Sequence, residues 1–480
     1  MKRRDFFKAA AAGAGGLAAM QAAGCASRNR LATDFPTSGG MGIEEAMWRV
    51  NRGKARNVAP KVRPEILSKP RAVFLIETHV DARKDESGHF TEAVPQLRSE
   101  GTRIARELFV KSDARGGCTY IKPNFTFVPE HCYNRTTGVY SSPDFIAGMV
   151  NHLRDIGNTN VIAGEGPTES RNHRMGGVYD AFDEVSLPMI EAGYNSFSDF
   201  RPDELNWVEV KDSLVWKRIP YFKPIMDPDT FMINVSSLKC HLTGLTTLTV
   251  KNLQGCVPKG YGQFCTAWND LEPAAYRAGV NFKRDFQEDY HQRVEASFLR
   301  HRAANFKRWD PFESYAKYEA KGGWDVYKTV KDDEKLRREF MSDIPGALMR
   351  FETWMHRGLM NAHVLSPDLN IVEGIIGLDG EELNRDRIGD DQLVNIIIAG
   401  CSPFEVDAVG TYLMGHDPRE IWYTRVAKEL GFGECDVDKI EIYRIADGEI
   451  IPVRNKNEIK RHPLGLNWAR KADPDQRLFW

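Results

Sequence analysis

No two of the eight cysteines, at positions 25, 118, 132, 240, 256, 265, 401 and 435, stand in a Cys-x-x-Cys spacing. That excludes a ferredoxin-type cysteine motif and gives no support to a cluster assembled from scattered thiols such as Cys118, Cys132, Cys240, Cys256 and Cys265. Without Cys25, seven cysteines remain, an odd number that cannot all pair internally, and their density is too low for a disulfide scaffold. No run beyond the N-terminus reaches the ~18–20 apolar residues that a bilayer span needs. Neither sign of charge dominates: Lys plus Arg is 65 against 67 for Asp plus Glu. No global field therefore draws the chain to nucleic acid, and none is expected as a partner. There is no internal repeat, and Gly164-Glu165-Gly166 is a Gly-x-Gly without the rest of a dinucleotide fingerprint.

What is present fits a large globular protein. With 480 residues, 42% hydrophobic and 28% charged, the chain can bury a sizeable core. Arg3-Arg4-Asp5-Phe6-Phe7-Lys8 precedes an uncharged, Ala- and Gly-rich stretch from Ala9 to Gly24, and the whole resembles a twin-arginine export signal. The resemblance implies the twin-arginine export machinery as a partner and a periplasmic or lipid-anchored location at the cell envelope. That route generally carries folded cargo, so a metal or organic cofactor loaded before export fits the same picture. Gly24-Cys25 resembles a lipoprotein processing box, with Ala22 standing where Leu is commoner. Cys25 is thus either a lipidation site giving membrane attachment or a cysteine beside an ordinary cleavage point.

Apolar runs of strand length occur at Ala72–Glu77, Thr119–Pro123, Asn160–Ala163, Phe231–Val235, Asn370–Val372, Val394–Ala399 and Ile440–Tyr443, with a helical stretch at Ser142–Ile156. Strands alternating with helices predict an α/β fold with a mostly parallel sheet, helices on both faces and two lobes around one crevice. Residues 1–25 read as the export signal and 26–70 as a polar linker. Residues 71–267 and 361–480 form two α/β parts, and 268–360, charged and aromatic, form a helical insertion between them.

The richest stretch runs from Met232 to Gly255, where a strand-like run feeds into Lys239, Cys240, His241, Lys251 and Asn252. Open α/β sheets bind ligands just outside the carboxyl ends of their strands, and these groups stand at such an end. Each also has a plain structural reading: a solvated strand terminus, a packing histidine, a helix stop at Gly255. Lys122 and Asn124 follow a second strand and Glu165 a third, so a parallel sheet would bring all of them toward one polar crevice. Lys122, Lys239 and Lys251 there suit a carboxylate or phosphate, and His241 suits acid–base work near neutral pH. Glu165 suits charge balance, metal binding or a structural ion pair.

These segments resemble the domain of unknown function 362 family (DUF362), whose central signature is a hydrophobic strand, a Lys/His/Thr element and a Lys-Asn-x-x-Gly element. Here Lys239, His241 and Lys251-Asn252-Leu253-Gln254-Gly255 carry that likeness. Ile121-Lys-Pro-Asn-Phe125 resembles the family's early strand end, and Val161-Ile-Ala-Gly-Glu-Gly-Pro167 its Gly-Glu-Gly strand end. Leu369-Asn-Ile-Val-Glu-Gly-Ile375, Phe404-Glu-Val-Asp-Ala-Val409 and Leu413-Met-Gly-His-Asp417 resemble its C-terminal third. The likeness covers roughly Val73 to Tyr443, and the family's name leaves its activity open.

Outside that set, His131, Cys132 and Cys240 are candidate ligands of a soft or borderline metal, and His173 lies in a similar loop; solvated loop histidines are the plain alternative. Asp407 falls in a helix-like stretch where a carboxylate could cap a helix or pair across the crevice. A fainter resemblance links the chain to lactate racemases that use a nickel-pincer nucleotide. The ten-residue interval from His241 to Lys251 would make Lys251 the cofactor-bearing lysine and His241 a proton- or substrate-handling histidine. Thr246 to Val250 lack the racemase glycines. The sequence thus predicts an exported enzyme acting on a small anionic substrate, with His241, Lys251 and Lys239 catalytic and Lys122, Asn124, Glu165, Asn252 and Gly255 binding. A non-catalytic cofactor-binding or electron-transfer accessory protein and a racemase-like isomerase are the alternatives.

Overall fold

The computed structural model describes residues 60–465 apart from 87, 89, 92, 112–116, 126–134, 167–173, 175–176, 192–203, 211–212, 242–244, 259–281, 291, 295, 298–343 and 381–388. For His241, Leu245, Phe282, Lys283 and residues 344–354 it describes the backbone alone. Arg3, Arg4, Cys25, His131, Cys132, His173, Cys265 and most of 268–360 therefore lie outside the described residues.

The fold begins earlier than the sequence suggests. Strand β1 (Lys61–Val62) and helix α1 (Pro64–Leu67) fall within the expected linker. Their Val62 and Ile66 are buried in the core, so an apolar residue on either side of Pro64 anchors a stretch whose composition reads as a tether. Strand β2 (Val73–Glu77), helix α2 (Val94–Leu108) and strand β3 (Phe109–Val110) follow, with β3 pairing antiparallel with β1. Next come β4 (Cys118–Lys122), α3 (Pro143–Asp155), β5 (Val161–Glu165), α4 (Val178–Glu184) and β6 (Met189–Glu191). Ser142 caps α3 by accepting from the Phe145 amide at 3.2 Å, and Pro143 supplies the preset φ of a first helical residue.

A separate two-stranded ribbon, β7 (Leu205–Glu209) and β8 (Arg218–Phe222), leads to the long strand β9 (Thr230–His241), the short β10 (Leu245–Thr247) and the single-turn helix α5 (Thr249–Asn252). A 3-10 turn, Leu253–Cys256, continues α5. The described parts of the expected insertion include helix α6 (Phe282–Asp285) and the start of α7 (Ile344–Leu365), which runs on past the expected boundary at 360. The chain closes with β11 (Leu369–Asp379), β12 (Asp390–Gly400), α8 (Pro403–Leu413), α9 (Trp422–Glu429), β13 (Ile442–Ala446) and β14 (Glu449–Pro452).

Ten strands form one sheet in the order β14-β13-β2-β12-β11-β9-β4-β5-β6, with β10 paired to β9. Neighbours β13/β2, β11/β9, β9/β4, β4/β5 and β5/β6 are parallel, whereas β14/β13, β2/β12, β12/β11 and β10/β9 are antiparallel. Strands from both expected α/β parts are interleaved, since β9 pairs with β11 and β2 lies between β12 and β13. Both faces are apolar, which a sheet covered on both sides requires. Phe74, Ile76, Ile121, Ile233 and Ile371 pack against α2, α3 and α4, while Leu75, Val372 and Ile398 pack against Val406, Val409 and Leu413 of α8. Tyr120 and Met232 share a third cluster with Leu359 of α7 and Trp422 of α9. Among the described residues no helix is long and apolar enough to cross a membrane.

The main departure from the expected boundaries concerns β9. The sequence suggests a strand ending at Val235, because Ser236, Ser237 and Lys239 read as polar. All three are buried and hydrogen-bonded, so the strand runs on to His241. β11 and β12 are likewise longer than their apolar cores, and they pair as antiparallel neighbours through Asp379 and Asp390.

Candidate functional site

The chain reverses direction in the sheet between β4 and β9. From β4 it moves outward to β5 and then β6, and it later returns to place β9 on the other side of β4. Parallel strands leave a crevice at the carboxyl edge of such a reversal. Lys122 is the last residue of β4, Glu165 the last of β5, and Asn234 of β9 stands in register with Lys122.

These residues meet in a buried node. The Lys122 ammonium lies 2.6 Å from Glu165 Oε1 and donates to Asn252 Oδ1 at 3.1 Å and to the Pro123 carbonyl at 2.6 Å. Glu165 also accepts from the Phe125 amide at 2.8 Å and the Gly166 amide at 3.1 Å. Asn124 Nδ2 donates to the same Asn252 oxygen at 3.0 Å, and Asn252 Nδ2 in turn donates to Asn234 Oδ1 at 2.8 Å. Lys122 and Glu165 have side chains with no exposed surface. A desolvated charge persists only with an opposite charge and further hydrogen bonds, and both are supplied here.

Gly255 completes the node. A Cβ at this position would lie 2.6 Å from both Lys122 Cε and the Gly166 carbonyl oxygen and would collide with Glu165 Oε1. Only a residue without a side chain lets the 3-10 turn sit on the ion pair. Cys256, next in the chain, is fully buried, and burial pushes its thiol up to about 12, so it is a packing residue rather than a thiolate. Burial also drives the Tyr120 phenol well above its ordinary value.

Lys122, Asn124, Glu165, Asn252 and Gly255 are thus brought together. Lys239, buried on β9, donates to the Val139 carbonyl at 2.7 Å. The backbone of His241 closes β9 seven residues beyond Asn234, a contour of roughly 23 Å at ~3.3 Å per residue, because the strand continues past the expected end. Lys251 adjoins the node on α5 and is half-buried. Cys240 is buried in the apolar cluster that includes Leu238 and Leu413, whereas Cys256 belongs to the cluster of Tyr221 and Leu359. The two thiols therefore do not share a site.

Asp407 of α8 binds the other end of α5. Its Oδ1 accepts from the Thr249 amide at 2.8 Å and the Thr249 hydroxyl at 2.5 Å, and its Oδ2 accepts from the Val250 amide and the Tyr423 hydroxyl, each at 3.2 Å. No cation faces it in this set of bonds, and burial pushes its carboxyl up to about 7. Glu373, buried and accepting from the Ser142 and Ile375 amides, is pushed up to about 7 by the same cause.

Sequence reasoning missed the asparagines in the strands. Asn234 Nδ2 donates to Asn370 Oδ1 at 2.9 Å and to the Thr249 carbonyl at 3.1 Å, extending the node from α5 through β9 to β11. The available signal was a fully polar amide within each apolar run, Ile233-Asn234-Val235 and Leu369-Asn370-Ile371.

Among the described residues no group of three or more His, Cys, Asp or Glu side chains could hold a metal ion. The Thr249 and Val250 amides are occupied by Asp407.

No match to the chain was found among curated proteins or among solved structures. The model of the family described as "Domain of unknown function (DUF362)" matches residues 119–412, a span that includes the whole node, α5 and Asp407. Since that span is more than half of the chain, the protein belongs to the DUF362 family.

Proposed function

We propose that the protein binds a small anionic molecule, as the substrate of an enzyme or as part of an organic cofactor, at the carboxyl edge of β4, β5 and β9. In this reading the Lys122–Glu165–Asn252 node is the rigid floor of the site. Lys251, on the same helical turn as Asn252, supplies positive charge to the ligand. The observation that carries the reading is the coincidence of the sheet's reversal point with buried polar groups from two strand ends and α5. Ligand sites combine a preformed scaffold with a few convergent polar groups. An ion pair fully removed from water is a weak source of stability, which favours a positioning role for it.

The test is calorimetric titration of protein freed of any retained small molecule by unfolding, dialysis and refolding, with inorganic phosphate and, separately, lactate. Binding of either by wild type and its loss in Lys251→Ala, with the thermal midpoint unchanged, supports the reading. Binding that is absent from wild type, or retained by Lys251→Ala, overturns it. We also propose export by the twin-arginine route and attachment through Cys25. Replacing Arg3 and Arg4 with Lys should hold the protein in the cytoplasm, and Cys25→Ala should release the exported form from membranes, both read by fractionation.

A further inference from the structure

We propose that Asp407 is a positioning residue that sets the register of α5, and through it Lys251, Asn252 and Gly255, against the strand ends. The inference rests on the binding site proposed above for its functional meaning, although its structural claim is independent of any ligand.

Helix α5 has only four residues, too few to be stable by itself, so its place must be fixed from outside. Leu248, which precedes it, provides no side-chain cap. Asp407 supplies that function from α8, 158 positions away in sequence, by accepting from the first two amides of the turn and from the Thr249 hydroxyl. An acceptor carboxylate on these amides satisfies donors that a helix start otherwise leaves orphaned. The opposite end of the turn is held by Asn252 in the node, and its start also by the bond from Asn234 to the Thr249 carbonyl. One turn is thus clamped at both ends, and the Asp407 clamp is built from neutral donors, Tyr423 included. The register matters at Gly255, where Glu165, Gly166 and Lys122 already stand closer than any Cβ would allow.

Asp407→Asn keeps the side chain's shape but presents an amide group in place of one acceptor oxygen. Hydrogen–deuterium exchange of peptides spanning 248–256 should quicken by about tenfold or more in this variant, while peptides from Ile396–Ala399 keep the wild-type rate. Thr249→Val, which deletes the hydroxyl, should reproduce the effect in smaller degree, and Thr249→Ser should restore protection. Unchanged exchange over 248–256, or equal quickening in both regions, would overturn the inference. So would failure of Thr249→Ser to restore it, which marks a general packing defect. If Asp407→Asn does not fold, the Thr249 pair carries the test alone. A failed phosphate titration counts against the binding site, and a failed exchange experiment counts against the clamp.

Discussion

Helix α5 has a buried polar centre at each end, and the two centres compensate their charge differently. At the Asn252 end, the Lys122 cation and Glu165 anion touch at 2.6 Å and need each other. At the Thr249 end, Asp407 has amides and hydroxyls around it, and burial pushes its carboxyl up to about 7. The first arrangement is fragile toward loss of either partner; the second is sensitive to protonation. Two solutions to one desolvation problem therefore leave different experimental signatures on the same helical turn.

The largest effect should come from splitting the pair. Lys122→Met or Glu165→Gln alone should destabilise the fold by about 3–5 kcal/mol, because each leaves an uncompensated buried charge. Urea unfolding followed by tryptophan fluorescence measures this, and the Lys122→Met, Glu165→Leu double variant should lose clearly less than the sum of Lys122→Met and Glu165→Leu measured singly. A strictly additive result would break the comparison at the Asn252 end.

Asn234→Ala should come next, with a loss of about 1–3 kcal/mol in the same assay, since Asn252 Nδ2 and Asn370 Oδ1 would lose a buried partner. Gly255→Ala should fall in a similar range of ~1–3 kcal/mol, from forcing a methyl group against the Gly166 carbonyl and Glu165.

The remaining effect is the pH dependence of the Asp407 centre. Its folded value of about 7 lies above the ordinary 3.8, so the native state holds the proton more tightly than the unfolded chain. The stability contributed by this group is fully present below the ordinary value and is lost as pH rises through about 7. Thermal midpoints followed across that window should show the fall in wild type and a shallower one in Asp407→Asn. Glu373, shifted the same way, keeps its own share of the slope in both proteins.

Much of this arrangement is legible in the sequence, for definite reasons. Lys122 and Glu165 each close a short apolar run, and parallel pairing of those strands brings them to one edge. Asp407 can be assigned to a helix, but its partner Thr249 cannot be identified, because nothing local encodes a contact across 158 positions. The extent of β9 is obscured by its own chemistry: buried Ser236, Ser237 and Lys239 look like a strand terminus until their partners Ile371, Asn124 and Val139 are in place. That single boundary leaves Lys239 and the His241 backbone at the end of β9, as expected, but several residues along the strand from Asn234, which pairs with Lys122. Asn234 and Asn370 escape notice because polar residues inside apolar runs read as interruptions, whereas here they link neighbouring strands.

If the node and α5 together form the floor of a site for a small anion, the purified protein should carry its ligand through purification. Native mass spectrometry of that protein, prepared without added ligand and compared with Lys251→Ala at matched thermal midpoint, tests this most directly. The account predicts a retained small molecule on wild type that the variant lacks. Identical masses for the two proteins, corrected for the substitution, would contradict it.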